Sequence, residues 1–391
     1  MARQAEVAAQ LGFEVFVVDY GWSISAGDRR ENRERFPSGI KKISEYVKSL
    51  GMKFGLWVAI TSLDPGTAPT EDPLEWFALT EEGTVHDEEN IAGKCACLAS
   101  GYKNYFESEL DRIITEYRVD WFKYDQNIFI ECYAKGHEHQ NNRDSLYYQV
   151  RSFYEVLDHI LARHPGLIIE SALSGAMILD YGILQRAHTT FLHDDLRTYF
   201  IRRFFHGVSY PLPPRYSAAT SWALPSLNRD ASAGDLNDRK DVVSRRCFYD
   251  YFYRASIMGA CNISDDLLKL PSEAYESMKR VIELYKNVRC RIKGPIRHIL
   301  PQPRDPREWD AAEVYDDKLC EGMVFIFRPS SPVPEINIKL TGLDNDKKYQ
   351  IYSENHSKIT TTLSGRELME SGLRIRINET SGSEILHFWV L

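Results

Sequence analysis

The sequence lacks the features that identify several large classes of protein. No block of basic residues stands out among its 48 Lys and Arg, and the 391 residues carry a formal net charge of −8. Nucleic-acid binding is therefore not expected. No run of about eighteen apolar residues occurs, so neither a transmembrane helix nor a membrane partner is expected. The first residues contain no continuous apolar segment of a signal peptide, which predicts a cytoplasmic protein unless the natural N-terminus is missing.

Cysteine is sparse and follows no pattern. The seven cysteines include no CxxC pair, so neither a disulfide framework nor a zinc ribbon is indicated. Cys95 and Cys97 in KCACLAS have no matching second pair and are interpreted as incidental. His137 and His139 in KGHEHQNN would need a third ligand at a recognisable spacing, so this segment is interpreted as a solvated loop. The sequence thus predicts no metal site and no cofactor.

The first three quarters of the chain predict an α/β fold. Short apolar runs alternate with amphipathic helices, as in a parallel sheet covered by helices. The predicted strands are residues 13–20, 53–60, 120–127, 167–173, 189–195, 218–225 and 259–265. A (β/α)8 TIM-type barrel needs eight strands to close, so the chain is expected to lack the first. The edges exposed by such a gap favour a homo-oligomer or completion by another polypeptide.

A different pattern follows Pro301. Segments such as EGMVFIFRP, EINIKLTGL and SEILHFWVL alternate apolar and polar residues with period two, which predicts an antiparallel β-sandwich. The predicted domains are a catalytic barrel over residues 1–300 and a C-terminal β-sandwich over residues 301–391.

Three predicted strands end in carboxylates, namely Asp19, Asp125 and the pair Asp194 and Asp195. A strand-end Asp can simply cap the next turn. Three of them would converge on the mouth of a barrel, where active sites form, and this favours chemistry by a pair of carboxylates. Glycoside cleavage with retention uses a nucleophile and an acid about 5 Å apart. Asp125 fits the nucleophile because Lys123 lies on the same strand face.

Several segments resemble one enzyme family. They are LGFEVFVVDYGW, YVKSLGMKFGLWV, DWFKYDQN, ISDDLLKLPSEAYESMKRVIELYKNVR and, near the C-terminus, LTGLDNDKKYQIYSEN with LSGRELMESGLRIRI. Together they resemble the melibiase-type α-galactosidases of glycoside hydrolase family thirty-six, whose clan includes α-N-acetylgalactosaminidases, over nearly the whole chain. Members of that family begin the barrel with a further strand and usually carry a large β-sandwich ahead of it.

The resemblance implies roles for the residues of three of these segments. Asp125 would be the nucleophile, and Lys123 would bind sugar hydroxyls at the innermost subsite. Asp19 would bind the far edge of the sugar. Trp22 and Trp57 would line the pocket, and Asn127 matches the family's Asn after the nucleophile.

The acid/base is placed in FLHDDL by the same resemblance. Aligning the family's Ser with His193 selects Asp194 as the acid/base, and Asp195 is a rival. His193 either tunes this acid or packs as an ordinary side chain.

The sequence also departs from the family pattern in the sugar-binding positions. Tyr20 replaces the second Asp of the Asp-Asp-Gly-Trp motif, and the family's Glu after Trp57 is missing. SALSGAM keeps Glu170, Ser174 and Gly175 in comparable places. The implied activity is retaining hydrolysis of terminal α-galactosyl residues of an oligosaccharide or glycoside. Alternatives are α-N-acetylgalactosaminidase, a β-L-arabinopyranosidase-like activity, a transglycosylase, or a non-catalytic, degenerate carbohydrate-binding barrel.

Overall fold

The computed structural model describes residues 1–67, 73–87, 93–125, 130–194, 198–221, 242–292 and 296–391. Two of the predicted site residues, Asn127 and Asp195, lie outside these ranges. The chain divides into two compact units, Met1–Phe191 and Leu192–Leu391. The predicted boundary near residue 300 stays a prediction.

The first unit alternates helices with mostly parallel strands. Its elements are α1 (Ala2–Leu11), β1 (Val15–Val18), α2 (Ile40–Ser49), β2 (Lys53–Ala59), β3 (Ser62–Leu63), β4 (Lys94–Cys95), α3 (Tyr102–Tyr117), β5 (Trp121–Asp125), α4 (Asn142–Arg163), β6 (Ile168–Ser171), α5 (Leu173–Ala176), α6 (Tyr181–Leu184) and β7 (Thr189–Phe191). Two short 3-10 helices, Pro65–Thr67 and Pro73–Trp76, lie in the loop between β3 and β4.

Five of these strands form a parallel sheet in the order β1-β2-β5-β6-β7. Trp57 pairs with Lys123, which in turn pairs with Glu170 of the next strand. Residues in register on neighbouring parallel strands point to the same face of a sheet. The register therefore brings an indole, an ammonium and a carboxyl side by side.

The alternation in WFKYD explains how β5 serves both the core and this face. Phe122 and Tyr124 are 1% and 0% exposed, and Tyr124 packs edge-on against Phe153 of α4 with ring centroids 5.0 Å apart. Lys123 and Asp125 occupy the alternate positions and point to the opposite face. The apolar residues thus anchor the strand and leave its polar residues to the other side.

Helix α4 is held in place by its ends and its apolar stripe. Asn141 caps it in a reciprocal capping box with Asp144. Phe153, Val156 and Ile160 recur at helical spacing on the buried face.

The loop ahead of this cap folds back onto the protein through a hydrogen bond from the Glu138 amide to the Ala99 carbonyl. His139 is consequently only 5% exposed, so the interpretation of KGHEHQNN as a solvated loop is wrong for this residue.

The second unit contains two parallel strands and an antiparallel region. Its elements are α7 (Thr198–Val208), a 3-10 helix (Pro214–Tyr216), β8 (Ser217–Ser221), α8 (Val242–Arg254), β9 (Ala260–Ile263), α9 (Ser272–Val288), β10 (Ile296–His298), β11 (Asp310–Asp316), β12 (Glu321–Arg328), β13 (Glu335–Ile338), β14 (Lys348–Ser353), β15 (Lys358–Ser364), α10 (Gly365–Glu370), β16 (Leu373–Arg376) and β17 (Gly382–Val390).

Strands β8 and β9 are parallel, with Ala218 opposite Ala260. Six later strands form an antiparallel sheet in the order β10-β11-β12-β17-β14-β15, and β13 pairs with β16 in a second sheet. Ile338 of β13 and Ile351 of β14 belong to one apolar core, which joins the two sheets. The predicted parallel strands followed by antiparallel sheets are confirmed. None of the helices in the described ranges is long and apolar enough to cross a membrane.

Candidate active site

Lys123 is the centre of a cluster of charges on the sheet of the first unit. Its Nζ lies 2.7 Å from Oδ2 of Asp19, the residue that follows β1. The Lys123 side chain is 15% exposed and that of Asp19 is 56% exposed. Burial disfavours the ammonium, but the carboxylates of Asp19, Glu170 and Asp125 outweigh burial and raise the pKa of Lys123. Lys123 is therefore charged at neutral pH, and its Nζ also lies 5.1 Å from the ring centre of Phe191.

Glu170 is the buried acid of this cluster. It is 1% exposed, and its Oε2 accepts a hydrogen bond of 2.6 Å from the Trp121 indole. Burial raises the pKa of Glu170, and Lys123 and the Trp121 hydrogen bond only partly oppose it. Its Oε1 is buried and has no hydrogen-bond partner among the described residues. Glu170 thus holds a proton more tightly than an ordinary glutamate.

Asp125 lies at the C-terminal end of β5 and is positioned by tryptophan. The Trp57 indole N–H donates to Oδ2 of Asp125 over 3.2 Å. Trp22, in turn, donates to the Trp57 carbonyl over 2.6 Å and is itself only 1% exposed. The two predicted pocket tryptophans therefore form a chain in which Trp22 holds Trp57 and Trp57 orients the carboxylate.

Tyr20 occupies the outer edge of the same cluster. Its ring is 53% exposed and meets Trp57 edge-on, with centroids 5.1 Å apart. A neutral phenol therefore stands where the resemblance places a second carboxylate, and Asp19 is the acid that remains at this edge.

A buried arginine binds the backbone at the end of β2, and no sequence pattern predicted it. Arg29 is 4% exposed and donates to the carbonyls of Ala59 and Ser62 over 2.9 and 2.8 Å and to the Tyr102 hydroxyl over 2.8 Å. The Tyr102 hydroxyl donates to the Ile60 carbonyl over 2.6 Å, and burial raises the pKa of Tyr102 to about 12. These bonds fix the backbone where β2 ends beside Asp125.

The predicted acid/base belongs to the second unit. His193 stacks on Phe204 with centroids 4.1 Å apart and an interplanar angle of 14°, while Asp194 is exposed. The structure thus gives His193 a packing partner and leaves the Asp194 side chain accessible to solvent.

The arrangement in the first unit suits a neutral, hydroxyl-rich ligand. One ammonium lies among three carboxyl groups, which together offer donors and acceptors in close succession. Asp125, one of these three, is a positioned carboxylate that can attack an electrophilic carbon.

Comparison with family profiles shows to which family the chain belongs. The profile of the melibiase family matches residues 1–294. The chain belongs to the melibiase family. The C-terminal domain profile of glycosyl hydrolase family 36 matches residues 309–388, so both predicted parts of the resemblance are found.

Curated relatives agree with the melibiase assignment. An α-galactosidase of Escherichia coli is 30% identical over 227 residues, which are 56% of this chain and 31% of that protein. The α-galactosidase AgaA of Geobacillus stearothermophilus is 23% identical over 386 residues, 95% of this chain and 49% of that protein. The chain therefore spans half or less of the length of these melibiase relatives.

Solved structures show the same fold. The crystal structure of AgaA from Geobacillus stearothermophilus matches with a TM-score of 0.85 and 22% identity, over 100% of this chain and 53% of that one. A family 27 β-L-arabinopyranosidase from the same organism matches with a TM-score of 0.65 and 12% identity, over 100% and 92%. The melibiase fold, a (β/α)8-type barrel with a C-terminal antiparallel β-domain, is thereby confirmed for this chain.

Proposed function

We propose that this chain carries the catalytic centre of a retaining α-galactosidase. Asp125 attacks the anomeric carbon while Asp194 protonates the leaving oxygen, and a covalent glycosyl ester forms on Asp125. Asp194 then removes a proton from water, which hydrolyses the ester. The observation that supports this most is the position of Asp125, at the end of β5 with one carboxylate oxygen held by the Trp57 indole at 3.2 Å.

The sugar is held by the charges beside the nucleophile. The Lys123 ammonium donates to ring hydroxyls, and the exposed Asp19 carboxylate accepts from hydroxyls at the far edge. Their ion pair of 2.7 Å keeps both groups in place before a ligand arrives. A preformed pair lowers the entropic cost of binding, since neither side chain has to be ordered by the sugar.

Oligosaccharides with terminal α-galactosyl groups are the proposed substrates. The AgaA variants in two solved structures are in complex with raffinose and stachyose. This chain covers 53% of each of those proteins. The proposal therefore concerns only the region whose fold this chain shares with AgaA.

A panel of nitrophenyl glycosides tests the activity. The chain should release nitrophenol from the α-galactoside, and Asp125→Ala should lower turnover by about 10⁴-fold or more while unfolding at the same temperature. Asp120→Ala is the matched control because Asp120 lies at the other end of the same strand and pairs with Lys48. Wild-type turnover in Asp125→Ala would refute the nucleophile, and no turnover in the wild type would favour a non-catalytic carbohydrate-binding barrel.

The acid/base is tested through the leaving group. Asp194→Ala should still release an activated phenol rapidly in the first turnover, because such a leaving group needs no proton, then accumulate the glycosyl ester because the base for water is missing, and lose hydrolysis of raffinose. Asp195→Ala serves as the comparison. If Asp195→Ala shows this pattern and Asp194→Ala does not, the acid/base is Asp195.

A second candidate is a β-L-arabinopyranosidase activity, which Tyr20 favours. Arabinopyranose is galactose without the hydroxymethyl group, so a sugar with a smaller far edge suits a bulky phenol at that place. Tyr20→Asp should then raise the ratio of galactosidase to arabinopyranosidase kcat/KM. An unchanged ratio would show that Tyr20 does not set the specificity.

The same enzyme class includes transglycosylases, which pass the sugar to an acceptor hydroxyl instead of water. Product analysis at high acceptor concentration distinguishes them. A cytoplasmic location and a homo-oligomer are further proposals, tested by cell fractionation and by light scattering of the purified chain.

A further inference from the structure

Two cysteines and two histidines meet in the first unit, away from the charges around Lys123. They are Cys97, Cys132, His137 and His139, and one donor atom from each lies within 4.8 Å of all the others. Cys97 lies in the loop between β4 and α3, and the other three lie between β5 and α4. Four sulfur and nitrogen donors at such distances are the ligand set of a tetrahedral metal site.

His137 is oriented as a metal ligand. Its Nε2 lies 2.8 Å from the Glu75 carbonyl, and because a carbonyl only accepts, Nε2 carries the proton. Nδ1 therefore keeps its lone pair, and it lies 3.5 Å from the Cys132 sulfur. Two ligands of a tetrahedral zinc ion at ordinary bond lengths are about 3.6 Å apart. A carbonyl that fixes the second ring nitrogen is the usual support for a ligating histidine.

His139 supplies an independent observation. Its side chain is buried at 5% exposure, and neither ring nitrogen has a hydrogen-bond partner among the described residues. Its ring meets that of His137 edge-on, with centroids 5.3 Å apart. A buried polar group without a partner is destabilising, so a ligand for this imidazole is expected.

The two cysteine side chains are buried. Cys97 and Cys132 are each 0% exposed. A bound cation would displace the thiol protons and neutralise both thiolates.

The surroundings fit a structural site more than a catalytic one. Ala78, Cys95, Ala99 and Ala134 wall the cluster with apolar groups. Two backbone bonds fasten the loop that carries three of the ligands, from the Tyr133 amide to the Leu79 carbonyl and from the Glu138 amide to the Ala99 carbonyl, at 2.9 and 2.8 Å. Four protein ligands in an apolar enclosure leave no open position for substrate.

We propose that Cys97, Cys132, His137 and His139 bind one structural Zn²⁺ ion. A closed set of two thiolates and two imidazoles selects zinc over the harder Mg²⁺ and Ca²⁺, which prefer oxygen ligands. The ion fastens the segment ahead of α4 onto the loop between β4 and α3. The segment ahead of α4 follows β5, which carries Asp125, so the metal stabilises the framework of the site without contacting substrate.

Metal analysis of the purified full chain tests this proposal. Protein purified without chelators should contain about one zinc ion per chain, as measured by inductively coupled plasma mass spectrometry. Replacement by Co²⁺ should give a thiolate-to-cobalt charge-transfer band and the visible absorption of tetrahedral cobalt. Neither readout depends on catalytic activity or on a variant that folds.

Variants assign the ligands. Cys97→Ser and His139→Ala should each lower the zinc content and the cobalt absorption at least tenfold. Cys95→Ser is the matched control because Cys95 is buried in the same apolar wall and lies two residues from Cys97, and it should keep both. Wild-type protein without zinc and without a cobalt spectrum would overturn the proposal, as would a disulfide between Cys97 and Cys132 in the freshly purified protein.

Discussion

The buried charges of the first unit and those of the C-terminal sheets are arranged in opposite ways. Lys123 faces three carboxyl groups and is paired with an exposed one, Asp19. Arg328, at the end of β12, instead donates to the carbonyls of Ser331, Ile377 and Asn378 over 2.6–3.1 Å. The carboxyl groups around Lys123 can therefore still accept hydrogen bonds from a ligand. The donors of Arg328 are bound to backbone carbonyls and hold a loop in place.

The two buried glutamates have different neighbours. Glu170 lies near the Lys123 ammonium together with the carboxylates of Asp19 and Asp125. Glu313 of β11, 0% exposed, accepts from the amide and hydroxyl of Thr341 over 2.9 and 3.2 Å, and Nη1 of Arg297 lies 3.8 Å from its Oε1. An excess of carboxyl groups around one cation thus indicates a binding site, whereas a carboxyl group that is hydrogen-bonded to a neighbouring segment indicates a structural role.

Removing the Lys123 ammonium should have the largest effect on activity. Lys123→Met should lower kcat/KM by about 10³-fold, because it removes the proposed donor to the sugar and leaves three carboxyl groups without their cation. Lys48→Met is the control, since Lys48 pairs with Asp120 of the same sheet and both side chains are 28% exposed. Steady-state kinetics on the α-galactoside measures this effect. Equal losses in the two variants would remove the distinction between the regions.

Removing the Arg328 guanidinium should lower stability and leave activity unchanged. Arg328→Met should lower the free energy of unfolding by about 3 kcal/mol, because several buried carbonyls lose a charged donor. Urea unfolding followed by tryptophan fluorescence measures this change. The control Arg307→Met removes an exposed ion pair with Asp305 and should cost at most about 0.5 kcal/mol. A fall in kcat/KM of folded Arg328→Met would contradict the structural role.

The buried carboxyl of Glu313 should make stability depend on pH. Burial raises the pKa of Glu313 to about 7, against the hydrogen bonds from Thr341 and the charge of Arg297. Between about pH 4.3, where an unfolded glutamate ionises, and pH 7, the folded state holds a proton that the unfolded chain has lost. Stability from this group is therefore present below that window and falls as pH rises through it.

Glu313→Gln should abolish this fall. Between pH 4.5 and 7.5 the wild type should lose roughly 2 kcal/mol more than the variant, as measured by urea unfolding at a series of pH values. Glu370→Gln, at an exposed position on α10, should behave as the wild type. Parallel pH profiles for the wild type and Glu313→Gln would show that Glu313 ionises alike in both states.

The smallest expected effect concerns the Trp57 indole, which donates a hydrogen bond to the proposed nucleophile Asp125. Trp57→Phe keeps an aromatic ring at this position but loses the indole N–H and its hydrogen bond of 3.2 Å to Asp125, so kcat/KM should fall about tenfold. Trp309→Phe, which loses a bond to the Val333 carbonyl in the second unit, should leave kcat/KM unchanged. An unaffected Trp57→Phe enzyme would mean that Asp125 needs no orienting donor.

The strands and the positions of their terminal acids could be predicted because both depend on local patterns. The alternation in WFKYD fixes which side chains of β5 share a face, and the Asp at its end follows from the same short segment. The pairing of Lys123 with Asp19 could not be predicted, because these residues are 104 positions apart and meet only when β1 and β5 are placed in one sheet. Local patterns carry no information on that arrangement.

Long-range contacts also explain why the cysteine and histidine cluster was missed. The spacing of these cysteines and histidines along the sequence does not indicate a metal site. Only the fold of the loop ahead of α4 brings Cys132 and His139 to Cys97. Arg29 was missed for a similar reason, since its partners are backbone carbonyls, which no sequence pattern records.

The most direct test is to trap the covalent intermediate. The chain is incubated with a fluorinated galactosyl fluoride that forms the glycosyl ester faster than it is hydrolysed, and its peptic peptides are sequenced by mass spectrometry. The account predicts one galactosyl adduct on Asp125, lost in Asp125→Ala and kept in Asp120→Ala. An adduct on another residue, or turnover of the α-galactoside without any adduct, would contradict it.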